Sequence, residues 1–381
     1  MTQRIFIETS ALTAQTMSGI GKTLLAILGA WRQDKSLDKF EVILLVPFDK
    51  KAKLEALDLG FAIKTMFIPD KILRGLRKFN LLPPLDTFLG KGMYLFPNYW
   101  NWPLKHSTSM TYIYDVSFLV DETFADPKNR AYLMRNIPVW IKRTDRVITI
   151  SHHAKAEIMK YYDVDSKRID VVYNGVDANF FHPESLDTVN STKKKYDIRG
   201  KYLLFVGNIE PRKNISGLIA AYRQLPEKLL SEYCLVIIGA DGWNNESIKK
   251  NIKSAIADGL RVQRVREYVS DEDLVAIYAG ATILVHPAFY EGFGMTPLEA
   301  MATSTPVIVG ENSSLPEVVE RAGLYVNAQD ASDISVKIRT LLENPQERDR
   351  LSRAGKAQVR KFTWQKTARS LAKSIEGPID E

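Results

Sequence analysis

The 381-residue sequence has a single cysteine, Cys234, so it can form no intrachain disulfide and no cysteine-rich zinc site. One thiol in a chain of this length suits a reducing compartment, and the expected location is cytoplasmic. No run approaches the about 18 consecutive apolar residues that a membrane-spanning helix needs. The stretch Glu41–Phe48 has the length of a strand and contains an acid. Met1-Thr2-Gln3-Arg4-Ile5-Phe6-Ile7 enters a strand-like pattern at once, without the layout of a secretory signal. Short internal repeats and low-complexity segments are also lacking. Neither sign of charge dominates: 52 Lys and Arg stand against 45 Asp and Glu, a formal balance of +7. That excess suits an anionic substrate or surface and falls short of a nucleic-acid signature, so no nucleic-acid partner is expected.

What the chain does have is alternation. Its length fits two domains of roughly 150–200 residues each. β-Branched runs at Arg4–Glu8, Glu41–Val46, Met93–Phe96, Met110–Tyr114, Arg146–Ile150 and Arg168–Val172 predict strands in the first half. Tyr202–Val206, Cys234–Ile238, Ala281–Val285, Thr305–Val309 and Gly323–Val326 predict strands in the second. Amphipathic stretches such as Lys22–Gln33, Ala154–Tyr161, Ile215–Gln224, Thr296–Ala302 and Ala331–Leu342 predict the helices between them. This is the pattern of doubly wound parallel sheets in an α/β fold, and it occurs twice. The break is Phe181–Gly200, whose His182-Pro183 and Lys193-Lys194-Lys195 read as an interdomain linker. The expected domains are 1–185 and 196–362. Two such domains facing each other place the carboxyl ends of both sheets at a central cleft.

Three segments carry candidate chemistry. Ser18-Gly19-Ile20-Gly21-Lys22-Thr23 follows the first strand and opens a helix, where free N–H groups favour an anion. Gly21-Lys22-Thr23 resembles the end of a phosphate-binding P-loop, with Asp115 as a possible metal-binding partner. That motif requires glycine at position 16, which is Thr. A plain tight turn is the remaining alternative. The second segment, Gly207-Asn208-Ile209-Glu210-Pro211-Arg212-Lys213-Asn214, sets two adjacent cations on a strand-to-helix loop. A guanidinium fork beside a compact ammonium suits a diphosphate, the alternative being a solvated pair. The third segment runs from His286 to Ala302. Gly292 and Gly294 make a permissive turn into a helix, and Glu291 and Glu299 can accept hydrogen bonds from hydroxyls at opposite ends of one elongated ligand.

Together these residues resemble the retaining nucleotide-sugar glycosyltransferases of the GT-B fold, the "glycosyl transferase group 1" family, and bacterial mannosyltransferases of surface polysaccharide assembly in particular. The pair Glu291 and Glu299 resembles its E-x7-E element, and the Glu210-Pro211-Arg212-Lys213-Asn214 loop its phosphate site. Ser313-Ser314-Leu315-Pro316-Glu317-Val318, Ile150-Ser151, Val172–Asp177 and the Gly19–Gly21 turn match further segments. The resemblance implies two Rossmann-like domains, with a last helix at 363–381 returning to pack on the first. It implies that Arg212 and Lys213 hold the donor diphosphate, that Glu299 binds ribose hydroxyls and that Glu291 meets the transferred sugar. Gly292, Phe293, Gly294 and Met295 would line the sugar or phosphate, Tyr268 and Val269 would edge the base, and Gly19 and Gly21 would approach from the first domain. Arg212, Lys213, Glu291 and Asp115 are the expected catalytic residues. Tyr114 stands before Asp115 where the family often has His, and remains a hydrogen-bond donor to sugar or acceptor.

The implied reaction transfers a sugar with retention from a nucleotide diphosphate donor, expected to be GDP-mannose, to a glycan or lipid-linked oligosaccharide acceptor. Cations and helix N–H groups stabilise the departing diphosphate, so neither metal nor cofactor is expected. Asp163-Val164-Asp165 resembles a metal-binding D-x-D only superficially. Lys71–Leu82 mixes cations with apolar residues, which suits peripheral contact with an anionic membrane or an ordinary amphipathic helix. Tyr99, Trp100 and Trp102 either line the acceptor side or form a packed corner. The rival readings are a UDP-sugar donor, a P-loop NTPase or kinase, and a non-catalytic sugar-nucleotide-binding protein.

Overall fold

The computed structural model describes residues 3–15, 17–78, 81–182 and 184–377. Several positions named above lie outside them: Met1 and Thr2, Thr16 of the P-loop comparison, Phe79 and Asn80 of the basic stretch, Pro183, and 378–381 of the expected last helix. The chain is α/β and divides into two units.

The first unit comprises Met1–Val116, Ala131–Gly175 and Trp364–Glu381. Its strands are β1 (Gln3–Glu8), β2 (Phe40–Pro47), β3 (Ala62–Met66), β4 (Met93–Phe96), β5 (Thr108–Tyr112), β6 (Arg146–Thr149) and β7 (Ile169–Val171). They form one parallel sheet in the order β3-β2-β1-β4-β5-β6-β7. Ile5 faces Val42 on one side and Met93 on the other, so β1 is central and its apolar run is buried on both faces. The helix Trp364–Glu376 belongs to this unit and packs on the helix Gly19–Gln33. Ala368, Leu371, Ala372 and Ile375 are buried, Arg369 pairs with Asp34, and the Thr367 hydroxyl donates to the Tyr173 carbonyl at 2.7 Å.

The second unit comprises Ser117–Arg130 and Val176–Thr363. Its strands are β8 (Lys201–Val206), β9 (Tyr233–Ile238), β10 (Val262–Val265), β11 (Ile283–His286), β12 (Val307–Gly310) and β13 (Gly323–Val326). They form a parallel sheet in the order β10-β9-β8-β11-β12-β13. In both sheets the strand order reverses direction once, between β1 and β4 and between β8 and β11. Ligands of such sheets bind at the carboxyl ends of the two strands flanking that point.

Two expectations change. The division falls at Gly175/Val176 rather than at residue 185, and the crossover 117–130 joins the second unit. The expected linker holds a ten-residue helix, Leu186–Lys195. Ser185 caps it by accepting from Thr188 N at 3.0 Å, Val189 and Thr192 are buried, and its lysine run occupies the last turn, where cations favour the helix dipole. Lys195 then pairs with Asp273 at 2.6 Å. A charged C-terminal turn had the composition of a linker.

At the end of β1 sits a group the sequence did not flag. Glu8 is 1% exposed, and its carboxylate accepts from Ser10 N at 2.7 Å and the Ser10 hydroxyl at 3.1 Å. Burial pushes its pKa from 4.5 up to about 7, against the Ser10 hydrogen bonds and the Arg77 charge. The folded state therefore holds its proton more tightly than the unfolded chain. The associated stability is full below the unfolded pKa and is lost as pH rises through about 7, a change of about 3 kcal/mol. Glu8→Gln removes the ionisation penalty. Thermal melts should coincide near about pH 4 and separate by about pH 8, with the variant the more stable. A difference that stays constant across this range would overturn the assignment.

Candidate functional site

β8 and β11 are neighbours, with Leu203 opposite Ile283, so the loops leaving their carboxyl ends share one crevice. Asn214 organises it. Its backbone is left-handed at φ 55°, a conformation Asn tolerates better than most residues. It closes the short 3-10 turn Pro211–Lys213 and caps the helix Ile215–Arg223, its Oδ1 accepting from Gly217 N at 3.2 Å. Its Nδ2 donates to the carbonyls of Pro287 at 3.0 Å and Ala328 at 2.6 Å. One amide thus ties together the loops after β8, β11 and β13. Phe289 N donates to the Arg212 carbonyl at 2.8 Å, closing the same junction.

Within this frame lies a buried charge cluster. Arg212 donates through Nη2 and Nε to Glu210 Oε1, at 2.8 and 3.1 Å. Its Nη1 donates to the Tyr290 carbonyl at 3.0 Å and to Glu291 Oε2 at 3.1 Å. Lys213 Nζ pairs with Glu291 Oε1, and His286 Nε2 lies 2.6 Å from that oxygen. Burial alone would raise the Glu291 carboxyl, but the Lys213 and Arg212 charges outweigh it and hold it well below the usual range. Burial and the Arg212 charge push Lys213 down, while Glu291 opposes both. Burial also lowers His286, so its imidazole is neutral near pH 7. Its Nε2–H then donates to Glu291, and Nδ1 has no partner among the described residues. Burial raises Glu210 as well, against Arg212 and Lys213.

The glycine turn adjoins the cluster. Gly294 has φ +108° and begins the helix Met295–Ala302, and a Cβ there would lie 3.1 Å from Leu315 Cδ2. The segment Ser313-Ser314 holds the turn from behind. Glu291 N donates to Ser313 Oγ at 2.9 Å, and the Ser314 hydroxyl lies 2.8 Å from the carbonyls of both Glu291 and Phe293. Phe293 is buried against Phe362, with ring centroids 5.7 Å apart. Along the helix, Glu299 accepts from the Tyr278 hydroxyl at 2.8 Å.

The second unit therefore brings together Arg212, Lys213, Glu291, Gly292, Phe293, Gly294, Met295 and Glu299. Tyr268 and Val269 lie in the loop after β10; the Tyr268 side chain is exposed and its carbonyl accepts from the Tyr196 hydroxyl at 3.3 Å. Gly19, Gly21 and Asp115 belong to the first unit. Ser18 caps the helix at Gly19, and a Cβ on Gly21 would lie 2.7 Å from the Ala11 carbonyl oxygen, so its small size serves close packing. Asp115 follows β5, and its N–H donates to the Tyr99 hydroxyl at 3.2 Å.

Some expectations are corrected. Tyr114 is buried and its hydroxyl donates to the Pro97 carbonyl at 2.9 Å, so it is not a donor facing a ligand. Trp100 and Trp102 are likewise buried, which favours the packed corner. Asp163 ends a helix in the left-handed conformation and Asp165 caps the next turn, so each serves the local backbone.

The sequence reading gave no role to Glu210, His286, Asn214 or Tyr278. Glu210 and Asn214 bracket the recognised cations, and their position in that loop was the available signal. His286 and Tyr278 show their roles only through packing. Glu291→Ala should leave two cations without their shared partner and lower stability in the absence of ligand by about 3–5 kcal/mol. Urea unfolding checks this, and a loss below about 1 kcal/mol would mean the cations find other compensation.

Residues 189–358 match the family described as "Glycosyl transferases group 1", and residues 118–180 match "Glycosyltransferase Family 4". Over 271 residues the chain is 31% identical to the O-antigen chain mannosyltransferase B of Escherichia coli, which covers 71% of this chain and 70% of that protein. It is 32% identical over 246 residues to the serotype-specific mannosyltransferase WbdA of Escherichia coli, covering 64% of this chain and 30% of that relative's length. Among solved structures, Anabaena HepE in complex with UDP and glucose superposes with a TM-score of 0.73 at 15% identity, covering 99% of this chain and 100% of that one. At that identity the likeness is one of fold.

Proposed function

Since the chain belongs to the glycosyl transferases group 1 family, with the GT-B α/β fold, we propose that it is a retaining, metal-independent mannosyltransferase. The donor is GDP-mannose, and the acceptor is a glycan or lipid-linked oligosaccharide in bacterial surface polysaccharide synthesis. The observation that carries this reading is the pair of cations fixed at the β8/β11 crevice, beside a glycine turn that opens a helix. The relatives' names as O-antigen and serotype-specific mannosyltransferases support the choice of sugar.

Bond cleavage at the anomeric carbon leaves negative charge on the nucleoside diphosphate. A guanidinium already held by Glu210, Tyr290 and Glu291 needs no reorganisation to meet that charge. Arg212 is the more accessible cation, its side chain 17% exposed against 10% for Lys213. Arg212 therefore contacts phosphate, and Lys213 acts largely through Glu291. The N–H groups around Gly294 supply the other donors. Glu299, steadied by Tyr278, receives the ribose hydroxyls. Asp115 is a further catalytic residue in this reading, and the departing phosphate assists removal of the acceptor proton.

A thermal-shift panel of GDP, UDP and ADP in EDTA tests the donor site. GDP should stabilise the wild type by mass action, and Arg212→Ala should abolish most of the shift. Mannose transfer should persist in EDTA and fall about 100-fold or more in Arg212→Ala. Stabilisation by UDP alone would shift the donor to a UDP-sugar, and activity strictly dependent on Mg²⁺ or Mn²⁺ would end the metal-independent mechanism.

We also place the protein in the cytoplasm with a peripheral contact to the inner face of the membrane. Among the described residues no helix is long and apolar enough to cross a membrane. Phe67, Ile72, Leu81 and Phe88 are exposed apolar side chains around the helix Asp70–Lys78, where Lys71 adds positive charge and Arg74 pairs with Asp70 at 3.0 Å. Arg77 stacks on Trp100 at 4.6 Å and is set aside from that surface. Flotation with liposomes should show binding that rises with anionic lipid and weakens in a Phe67→Ser/Phe88→Ser variant. Flotation indifferent to lipid charge would remove the contact.

A further inference from the structure

The crossover segment 117–130 gives the second unit another cavity. Its walls are Asp121 and Phe124 from that segment, Pro211 and Phe289 beside the cation loop, and the loops following β12 and β13. Its volume is about 780 Å³, within the roughly 300–1,000 Å³ of ordinary ligand clefts. The crossover wall is fixed. Trp243 Nε1 donates to the Thr123 carbonyl at 2.9 Å, and the Phe124 ring packs on Tyr290 with centroids 6.1 Å apart. Asp121 Oδ1 accepts from Thr123 N at 2.8 Å and from its hydroxyl at 2.7 Å.

The lining chemistry is selective. Asn312 is already engaged, donating to the Ala288 carbonyl and accepting from the Ser313 hydroxyl, each at 3.0 Å. The Glu311 carboxylate and the Gln329 amide line the cavity without a hydrogen-bond partner among the described residues. Phe289 is 36% exposed and offers an apolar face beside them. Although the chain carries a balance of +7, no Lys, Arg or His is among the described residues lining this cavity. A phosphate here would meet the carboxylates of Asp121 and Glu311 and no cation. An uncharged ring bearing hydroxyls suits it instead: the carboxylates accept, the amide both donates and accepts, and the aromatic face covers C–H groups.

We infer that this cavity is a subsite for neutral hexose units of the acceptor glycan, distinct from the charge cluster around Glu291. The assignment of the hexoses to an acceptor rests on the glycosyltransferase reading above. The two sites share a wall, because Pro211 precedes Arg212 and Phe289 N donates to the Arg212 carbonyl. A glycan held here is adjacent to the loop that carries the cations.

The test titrates the full chain with α-linked mannotriose, without nucleotide, by calorimetry. It uses wild type, Glu311→Ala/Gln329→Ala and Phe289→Ala, with a GDP thermal shift on each. Loss of two hydrogen-bonding groups should weaken trisaccharide binding about tenfold or more in the double variant. Phe289→Ala should weaken it too, while the GDP shift stays at its wild-type size in all three proteins. Equal trisaccharide affinity in wild type and the double variant, or no trisaccharide binding by wild type, would overturn the subsite. Trisaccharide binding that depends on Glu311 and Gln329, with no response to any nucleoside diphosphate, would uphold the sugar site and sink the transferase reading instead.

Discussion

A carboxylate buried between two cations sets the terms for the second unit. Glu291 is out of water and remains ionised because Lys213 and Arg212 lie against it. Neither cation would be comfortable there without it, and Arg212 needs Glu210 as well. Two acids, Glu210 and Glu291, face two bases, Arg212 and Lys213, and the His286 imidazole fills a further hydrogen-bond position on Glu291. Such an arrangement contributes modestly to stability, since desolvation consumes most of the attraction. What it secures is geometry. A guanidinium with three separate partners has one orientation.

Short polar side chains hold the backbone around the cluster, alongside apolar contacts such as Phe293 on Phe362. Asn214 joins three loops, and Ser313 and Ser314 support the turn from Glu291 to Gly294. Only a few backbone bonds join these loops, such as Phe289 N to the Arg212 carbonyl, so side chains complete the rest. Small side chains complete the hydrogen bonding without filling the space in front. Beneath them the sheet supplies a rigid floor, with the apolar cores of its inner strands buried: Leu203, Phe205, Leu235, Ile283 and Ile308 have no exposed surface.

Most of this architecture was legible in the sequence, for identifiable reasons. Central parallel strands are covered on both faces and appear as unbroken apolar runs, as in Tyr202–Val206 and Cys234–Ile238. The two strands that escaped notice, β3 and β10, are sheet edges. Lys64 and Arg264 interrupt their patterns, which is the usual protection of an exposed edge. The helix Leu186–Lys195 was hidden for a related reason, since cations crowd the turn where the helix dipole favours them. In the site, motif spacing exposed Arg212, Lys213, Glu291 and Glu299. It could not expose His286, which meets Glu291 because β11 ends one short loop before it. Nor could it show that Trp100 and Trp102 turn inward, since composition does not fix which way a loop folds.

The chain passes between its two units at four places: Val116/Ser117, Arg130/Ala131, Gly175/Val176 and Thr363/Trp364. The second unit is therefore not a continuous stretch of polypeptide. A fragment cut at 196–362 would lose Phe124, the ring that packs on Tyr290 next to Glu291, and the helix Leu186–Lys195 with its Lys195–Asp273 pair. The unit that holds the charge cluster must wait during synthesis for its own distant segments. Its folding is interleaved with that of its neighbour, because each unit is completed by segments that lie beyond the other in the chain.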